Sequence, residues 1–306
     1  MKNPVSNAKI AFWGTPDFAV LVLAALEKRG ILPDLVVCAP DAPKGRKLVV
    51  TPPPTKVWAI ERGIPFIQPT EIKSAEFAQT LASLCPDKGP SANNPSGDRR
   101  WDLFIVAAYG KIIPEHILYA PVRKTINVHP SMLPLLRGSS PLQSAILADM
   151  RDTGTTIMLL DKEMDHGPLL AQKQATFTEW PVDTETLGRI LAQDGGDLIA
   201  DILPYILDGS AHATEQDHSK ATYTKKITKE DGLINLAEDG YDNWLKFNVY
   251  KGWPGSFFFI DKDGKQIRVS ITDAAYADGV FSPLKAVPEG KSEMAWDEFE
   301  RGYSNR

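Results

Sequence analysis

Cysteine is scarce in this 306-residue chain: Cys38 and Cys85 are the only two, and neither has a second Cys or His at ligand spacing. That excludes a disulfide-stapled scaffold, argues against a metal site, and fits a reducing, cytoplasmic compartment. Long apolar runs are missing too. The longest, Phe18 to Leu26, falls well short of the ~20 residues that cross a bilayer. Met1-Lys2-Asn3-Pro4 opens no apolar segment of the kind a secretory leader carries, so neither export nor a membrane partner is expected. Net positive charge is absent: 34 Lys+Arg against 39 Asp+Glu leave −5, so any nucleic-acid contact must come from a local basic patch. Glycine is lacking where a dinucleotide fold needs it. The turn Gly14-Thr15-Pro16-Asp17-Phe18-Ala19 has one glycine of the three that bring backbone to a pyrophosphate, and an acid where bare N–H groups belong. Nicotinamide and flavin are therefore not expected.

What is present is ordinary globular composition, 43% hydrophobic and 24% charged, at a length that suits two domains. Residues 9–13, 35–39, 103–108 and 125–129 read as buried strands. Helices are expected over about 17–29, within 51–62, near 74–84, after Pro114, near 140–149 and over 184–207. Thr15-Pro16-Asp17 reads as N-cap, first helical proline and acidic first turn. The alternation predicts an α/β, Rossmann-like domain over residues 1–207, a mainly parallel sheet with helices on both faces. Residues 155–160 and 169–177 look like an antiparallel hairpin within it. Segment 86–100 is almost devoid of apolar residues and reads as a flexible surface insertion. Polar residues 208–222 read as a linker, and 223–306 as a small β-rich domain of short strands with Asp-Gly turns.

The stretch with chemistry in it runs Ile126-Asn127-Val128-His129-Pro130-Ser131-Met132-Leu133-Pro134-Leu135-Leu136-Arg137-Gly138. Strand alternation puts Asn127 and His129 on one face, at the carboxyl end where open α/β sheets hold ligands. An amide there donates to an oxygen gaining negative charge, and an imidazole donates or moves a proton. Either residue alone could equally serve a turn. A partner strengthens the pair: Asp165, in the turn Leu160-Asp161-Lys162-Glu163-Met164-Asp165-His166-Gly167, is placed to aim a carboxylate back at His129. A carboxylate beside an imidazole favours its charged form and fixes its orientation. Asp161 and Glu163 read as solvated turn residues and His166 as a turn neighbour. No Gly-x-Ser-x-Gly elbow surrounds Ser131, which argues against a serine nucleophile.

Asn127-x-His129, the Ser131-Met132-Leu133-Pro134 loop ahead of Gly138, and Asp165-x-Gly167 together resemble the folate-dependent formyltransferases. The resemblance is closest to the branch of that family that acts on charged tRNA. Its motifs include Gly14 to Ala19, Pro40-Asp41 through Gly45-Arg46 to Lys56, Gln68-Pro69, and Ala107-Ala108-Tyr109-Gly110-Lys111-Ile112-Ile113-Pro114. Ala221-Thr222-Tyr223, Lys226-Ile227 and Trp253-Pro254-Gly255 extend it into the second domain, so it covers most of residues 8–260. It implies transfer of a formyl group from 10-formyltetrahydrofolate to the amino group of methionine on initiator tRNA, without a metal, by a cytoplasmic and monomeric enzyme. By the same resemblance Asn127, His129 and Asp165 are the catalytic trio. Ser131, Met132, Leu133 and Pro134 form the folate loop, with Ala107, Ala108, Tyr109 and Gly110 beside the pterin. Lys44, Arg46, Lys47, Lys225, Lys226 and Lys229 are the expected tRNA contacts, and residues 223–306 a shortened OB-like β-barrel that binds tRNA. The chain departs from the pattern at Met132 for leucine, Ala42 and Asn248 for arginines, the 86–100 insertion and a shortened C-terminus. Alternatives are an amino-sugar nucleotide N-formyltransferase, a 10-formyltetrahydrofolate hydrolase, or an inactive tRNA- or folate-binding protein.

Overall fold

The computed structural model describes residues 7–45, 48–86, 100–262 and 264–303. In chain order the first strands and helices are β1 (Ile10–Gly14), α1 (Asp17–Lys28), β2 (Leu35–Val37), β3 (Ala42–Lys44), β4 (Val49–Thr51), α2 (Pro54–Glu61), β5 (Phe66–Ile67) and α3 (Ala75–Ser83). There follow β6 (Leu103–Ala107), α4 (Glu115–Leu118), β7 (Thr125–His129), α5 (Pro141–Leu147), β8 (Gly154–Leu159), β9 (Leu169–Gln174) and α6 (Thr184–Asp208). The remainder is α7 (Gly240–Tyr250), β10 (Ser256–Lys262), β11 (Lys265–Ala277), β12 (Val280–Pro288), β13 (Met294–Ala295) and α8 (Trp296–Tyr303). Two compact units result: residues 1–137, 153–175 and 188–223 form one, and residues 138–152, 176–187 and 224–306 the other. The division is not the continuous one the sequence suggests. Residues 208–222, expected as a linker, belong to the first unit.

The first unit is built on a seven-stranded sheet of order β5-β2-β1-β6-β7-β8-β9. The first five strands are parallel, and β8 and β9 close one side as the expected antiparallel hairpin. Both faces are buried, which is why these strands read as continuous apolar runs. Alternate residues of β1 show it: Ile10 and Phe12 pack with α1, α2 and α6 through Leu23, Trp58 and Leu203, while Ala11 and Trp13 pack with α3 and α4 through Phe77 and Ile117. A parallel sheet delivers the carboxyl ends of β1, β6 and β7 to one edge.

Two local expectations change. Thr15 does not cap α1; its hydroxyl donates to Tyr109 O at 3.2 Å and accepts from Ala39 N, tying the ends of neighbouring strands together, and Pro16 stands at the cap. Residues 42–44 and 49–51, where the sequence led to no strand, pair as the antiparallel β3–β4 hairpin. Its Lys44 is exposed, whereas Arg46, Lys47 and residues 87–99 of the expected insertion lie outside the described residues.

In the second unit β10-β11-β12-β13 form a four-stranded antiparallel sheet, in keeping with the small β-rich second domain expected from the sequence. Its strands are longer than expected, with 13 residues in β11, and a register shift near Asp273 bends the ladder. Helix α7, not foreseen, is capped by Asp239, which accepts from Tyr241 N and Asp242 N. Phe247, Phe258, Val269, Ala286 and Phe299 form the core beneath it.

Candidate active site

His129 ends β7, 4% exposed. Its Nε2 donates to Leu136 O at 3.0 Å, since a carbonyl only accepts. That leaves Nδ1, which faces Asp165 Oδ1 at 3.6 Å. The gap is wider than a direct hydrogen bond, and the side chains are 5% and 13% exposed, so little solvent screens the pair. Asn127 lies two residues back on the same face of β7, half-buried, and its side chain makes no hydrogen bond to any described residue. An unspent amide, an imidazole with one free nitrogen and a carboxylate thus share one region of the first unit.

Asp165 stands at φ +50°, the left-handed region that Asp tolerates better than most residues. Gly167 is required for the bend, because a Cβ there would collide with Leu159 O. Asp161 and His166 are more than solvated turn residues. His166 Nδ1 donates to Asp161 Oδ2 at 2.7 Å, and its ring stacks on His218 at 4.0 Å.

The loop after His129 is held through its backbone. Ser131 is fully buried, with its hydroxyl spent on Leu135 O at 2.6 Å. Thr156, which faces His129 across the ladder, donates to Ser131 O and accepts from Leu133 N. Gln172 donates to Leu133 O and to Thr156. Leu133 is buried, and Met132 and Pro134 are half-buried. Met132 sits against Gly154, where a Cβ would come within 2.7 Å of its sulfur; the missing side chain makes room for methionine. On the neighbouring strand end Ala107 is buried, while Ala108 and Gly110 are exposed with φ +49° and +84°. Tyr109 is buried, and its hydroxyl has no hydrogen-bond partner among the described residues. Burial pushes that phenol up to about 12.

Arg137, Gln216 and His218 have no role expected from the sequence. Arg137 is 1% exposed and donates to Gln216 Oε1 from Nε and Nη2 and to His218 Nδ1 at 2.9 Å. The only sequence signal was its place in the stretch after His129. Lys225, Lys226 and Lys229, in the second unit, are exposed. No group of three or more His, Cys, Asp or Glu suited to a metal occurs among the described residues, and no helix there is long and apolar enough to cross a membrane.

An α/β sheet offering these groups at its carboxyl edge suits a group transferase working at a carbonyl carbon. Residues 8–203 match the formyl transferase family, and the chain belongs to it. It is 34% identical to the methionyl-tRNA formyltransferase of Geobacillus thermodenitrificans over 97% of this chain and 95% of that one. Among solved structures, the methionyl-tRNA formyltransferase of Clostridium thermocellum shares the fold at TM-score 0.57 and 15% identity, covering 94% of this chain and 99% of that one. The sugar 3N-formyl transferase WlaRD, solved in the presence of dTDP and 5-N-formyl-THF, does so at TM-score 0.57 and 15% identity, covering 93% and 99%.

Proposed function

We infer that this chain transfers a formyl group from 10-formyltetrahydrofolate to the amino group of methionine on charged initiator tRNA. For the chemistry, the observation that carries the reading is His129 Nδ1 opposite Asp165, with Nε2 committed elsewhere and Asn127 unspent on the same strand face. For the acceptor it is the 34% identity to a tRNA-acting relative, which runs through 97% of the chain and so includes the second unit. The sugar-acting neighbour is similar in fold alone, at 15% identity.

The neutral methionyl amine attacks the formyl carbon, forming a C–N bond and turning the carbonyl into an oxyanion. Asn127 Nδ2 donates to that oxygen, and His129, protonated, stabilises it from Nδ1. Asp165 orients His129 and takes the amine's proton through a water. Collapse re-forms the C=O and breaks the bond to the folate nitrogen, which takes up, through the same water, the proton that Asp165 received from the amine. No covalent enzyme intermediate is needed. The strand end at residues 107–110 fits the donor's pterin: small exposed residues let a flat ring approach, and the unpartnered Tyr109 hydroxyl is a buried polar atom awaiting one. Ser131 to Pro134, braced by Thr156 and Gln172, form the opposite wall. Lys44, Arg46, Lys47, Lys225, Lys226 and Lys229 are assigned to tRNA phosphates, and residues 223–306 to tRNA binding.

The test is to supply 10-formyltetrahydrofolate with methionyl-tRNA and, in parallel, with an amino-sugar nucleotide or water alone. Formylmethionine recovered after deacylation supports the reading. A formylated sugar, or formate release without an acceptor, overturns it in favour of the corresponding alternative.

A further inference from the structure

The carboxylate that faces His129 sits on a strained, left-handed residue in a turn, and such conformations persist only where the surroundings enforce them. At Asp165 the enforcing group is Gln216. Its two amide hydrogens go to two carbonyls of the turn, Asp165 O at 2.9 Å and Gly167 O at 2.7 Å. Its Oε1 accepts from Arg137 Nη2 at 2.6 Å and Nε at 3.2 Å. Arginine only donates and carbonyls only accept, so the amide has a single orientation that satisfies all four contacts. Gln216 is 5% exposed and Arg137 1% exposed, so none of these bonds is traded freely for water. Arg137 also directly follows Leu136, whose carbonyl holds His129 Nε2. One chain of contacts, Leu136–Arg137–Gln216–Asp165, therefore links the anchor of the imidazole to the backbone that carries its carboxylate.

Beside this clamp His166 lies flat on His218, rings 4.0 Å apart and 1° from parallel, and His218 is itself bonded to Arg137. The segment supplying Gln216 and His218 is stitched to the same unit by Thr214 paired with Leu169 and by Thr222 O accepting from Arg137 N.

We propose that Gln216, oriented by Arg137, is a positioning residue for formyl transfer: it fixes the main chain of Asp165 so that the carboxylate faces His129 Nδ1. The proposal rests on reading Asp165 as His129's partner, and its test separates the two. Gln216→Glu keeps the acceptor for Arg137 and the side-chain size but replaces the amide donor with an oxygen facing two carbonyls. Its kcat should fall about tenfold to hundredfold, the range that a small misplacement of a reacting group brings. KM for folate donor and for methionyl-tRNA should stay within about twofold, because Gln216 is buried with its amide committed to Arg137 and the turn. Gln216→Asn, neutral but one methylene shorter, is the second variant and should show the same split between kcat and KM. Placed on Asp165→Asn, either change should cost less than about twofold more, since a positioning residue has nothing left to position. Parent-like kcat in a folded Gln216→Glu or Gln216→Asn enzyme, or losses that multiply in the double variant, overturns the proposal and leaves the Asp165 reading standing. Parent-like kcat in Asp165→Asn alone overturns that reading and the proposal with it.

Discussion

Asn127 carries the sharpest expectation for a single side chain. Its amide makes no hydrogen bond to any described residue, so its removal strips no structural contact. Losing one oxyanion donor typically costs about 10²–10³ in turnover. Asn127→Ala should show a loss of that order in kcat with an unchanged melting temperature, measured by single-turnover formylation beside a thermal melt. Near-normal turnover would remove Asn127 from the mechanism. Cys38 gives a prediction of another kind. Burial pushes its thiol up to about 11, so at about pH 8 only about one molecule in a thousand carries the thiolate that alkylates. Iodoacetamide should leave Cys38 unlabelled in the folded protein and label it in denaturant, as mass spectrometry would show.

Among elements, the β8–β9 hairpin matters most, because it delivers Asp165. Gly167→Ala would press a methyl against Leu159 O, with no flexible side chain to yield. We expect a loss of about 1–3 kcal/mol and a fall in kcat that exceeds the loss of folded protein, read by denaturant melts and active-site titration. Ser74→Ala is the contrasting case: it removes the N-cap oxygen that accepts from Phe77 N. It should cost about 1 kcal/mol and leave kcat unchanged. Asn127 and His129 were legible because a strand's two-residue period puts them on one face whatever surrounds it. Asp165 was legible through the tight His166-Gly167 turn. Thr156, Arg137 and Gln216 were not, for physical reasons. Thr156 depends on the register of β8 on β7, and Gln216 on the return of a polar segment across the first unit, neither of which local pattern encodes. The β3–β4 hairpin was hidden by prolines and charges that read as loop.

For the whole molecule, the question is how an acidic protein holds an anionic partner. Residues 211–306 carry 13 Lys+Arg against 16 Asp+Glu, so general attraction is weak and local grips must supply it. Neutralising Lys44, Arg46 and Lys47 together should raise KM for methionyl-tRNA, leave KM for the folate donor unchanged, and flatten the salt dependence by about 0.7–0.9 for each phosphate no longer neutralised. Titrating formylation against salt checks this. The central claim is that a formyl-transfer site in the first unit serves a tRNA acceptor. It is tested most directly by kcat/KM for methionyl-tRNA against that for an amino-sugar nucleotide, with saturating 10-formyltetrahydrofolate. The account predicts a preference for methionyl-tRNA of several orders of magnitude, and a large loss of kcat for that acceptor in Asp165→Asn. Comparable values for the two acceptors, or a preference for the sugar, would contradict it.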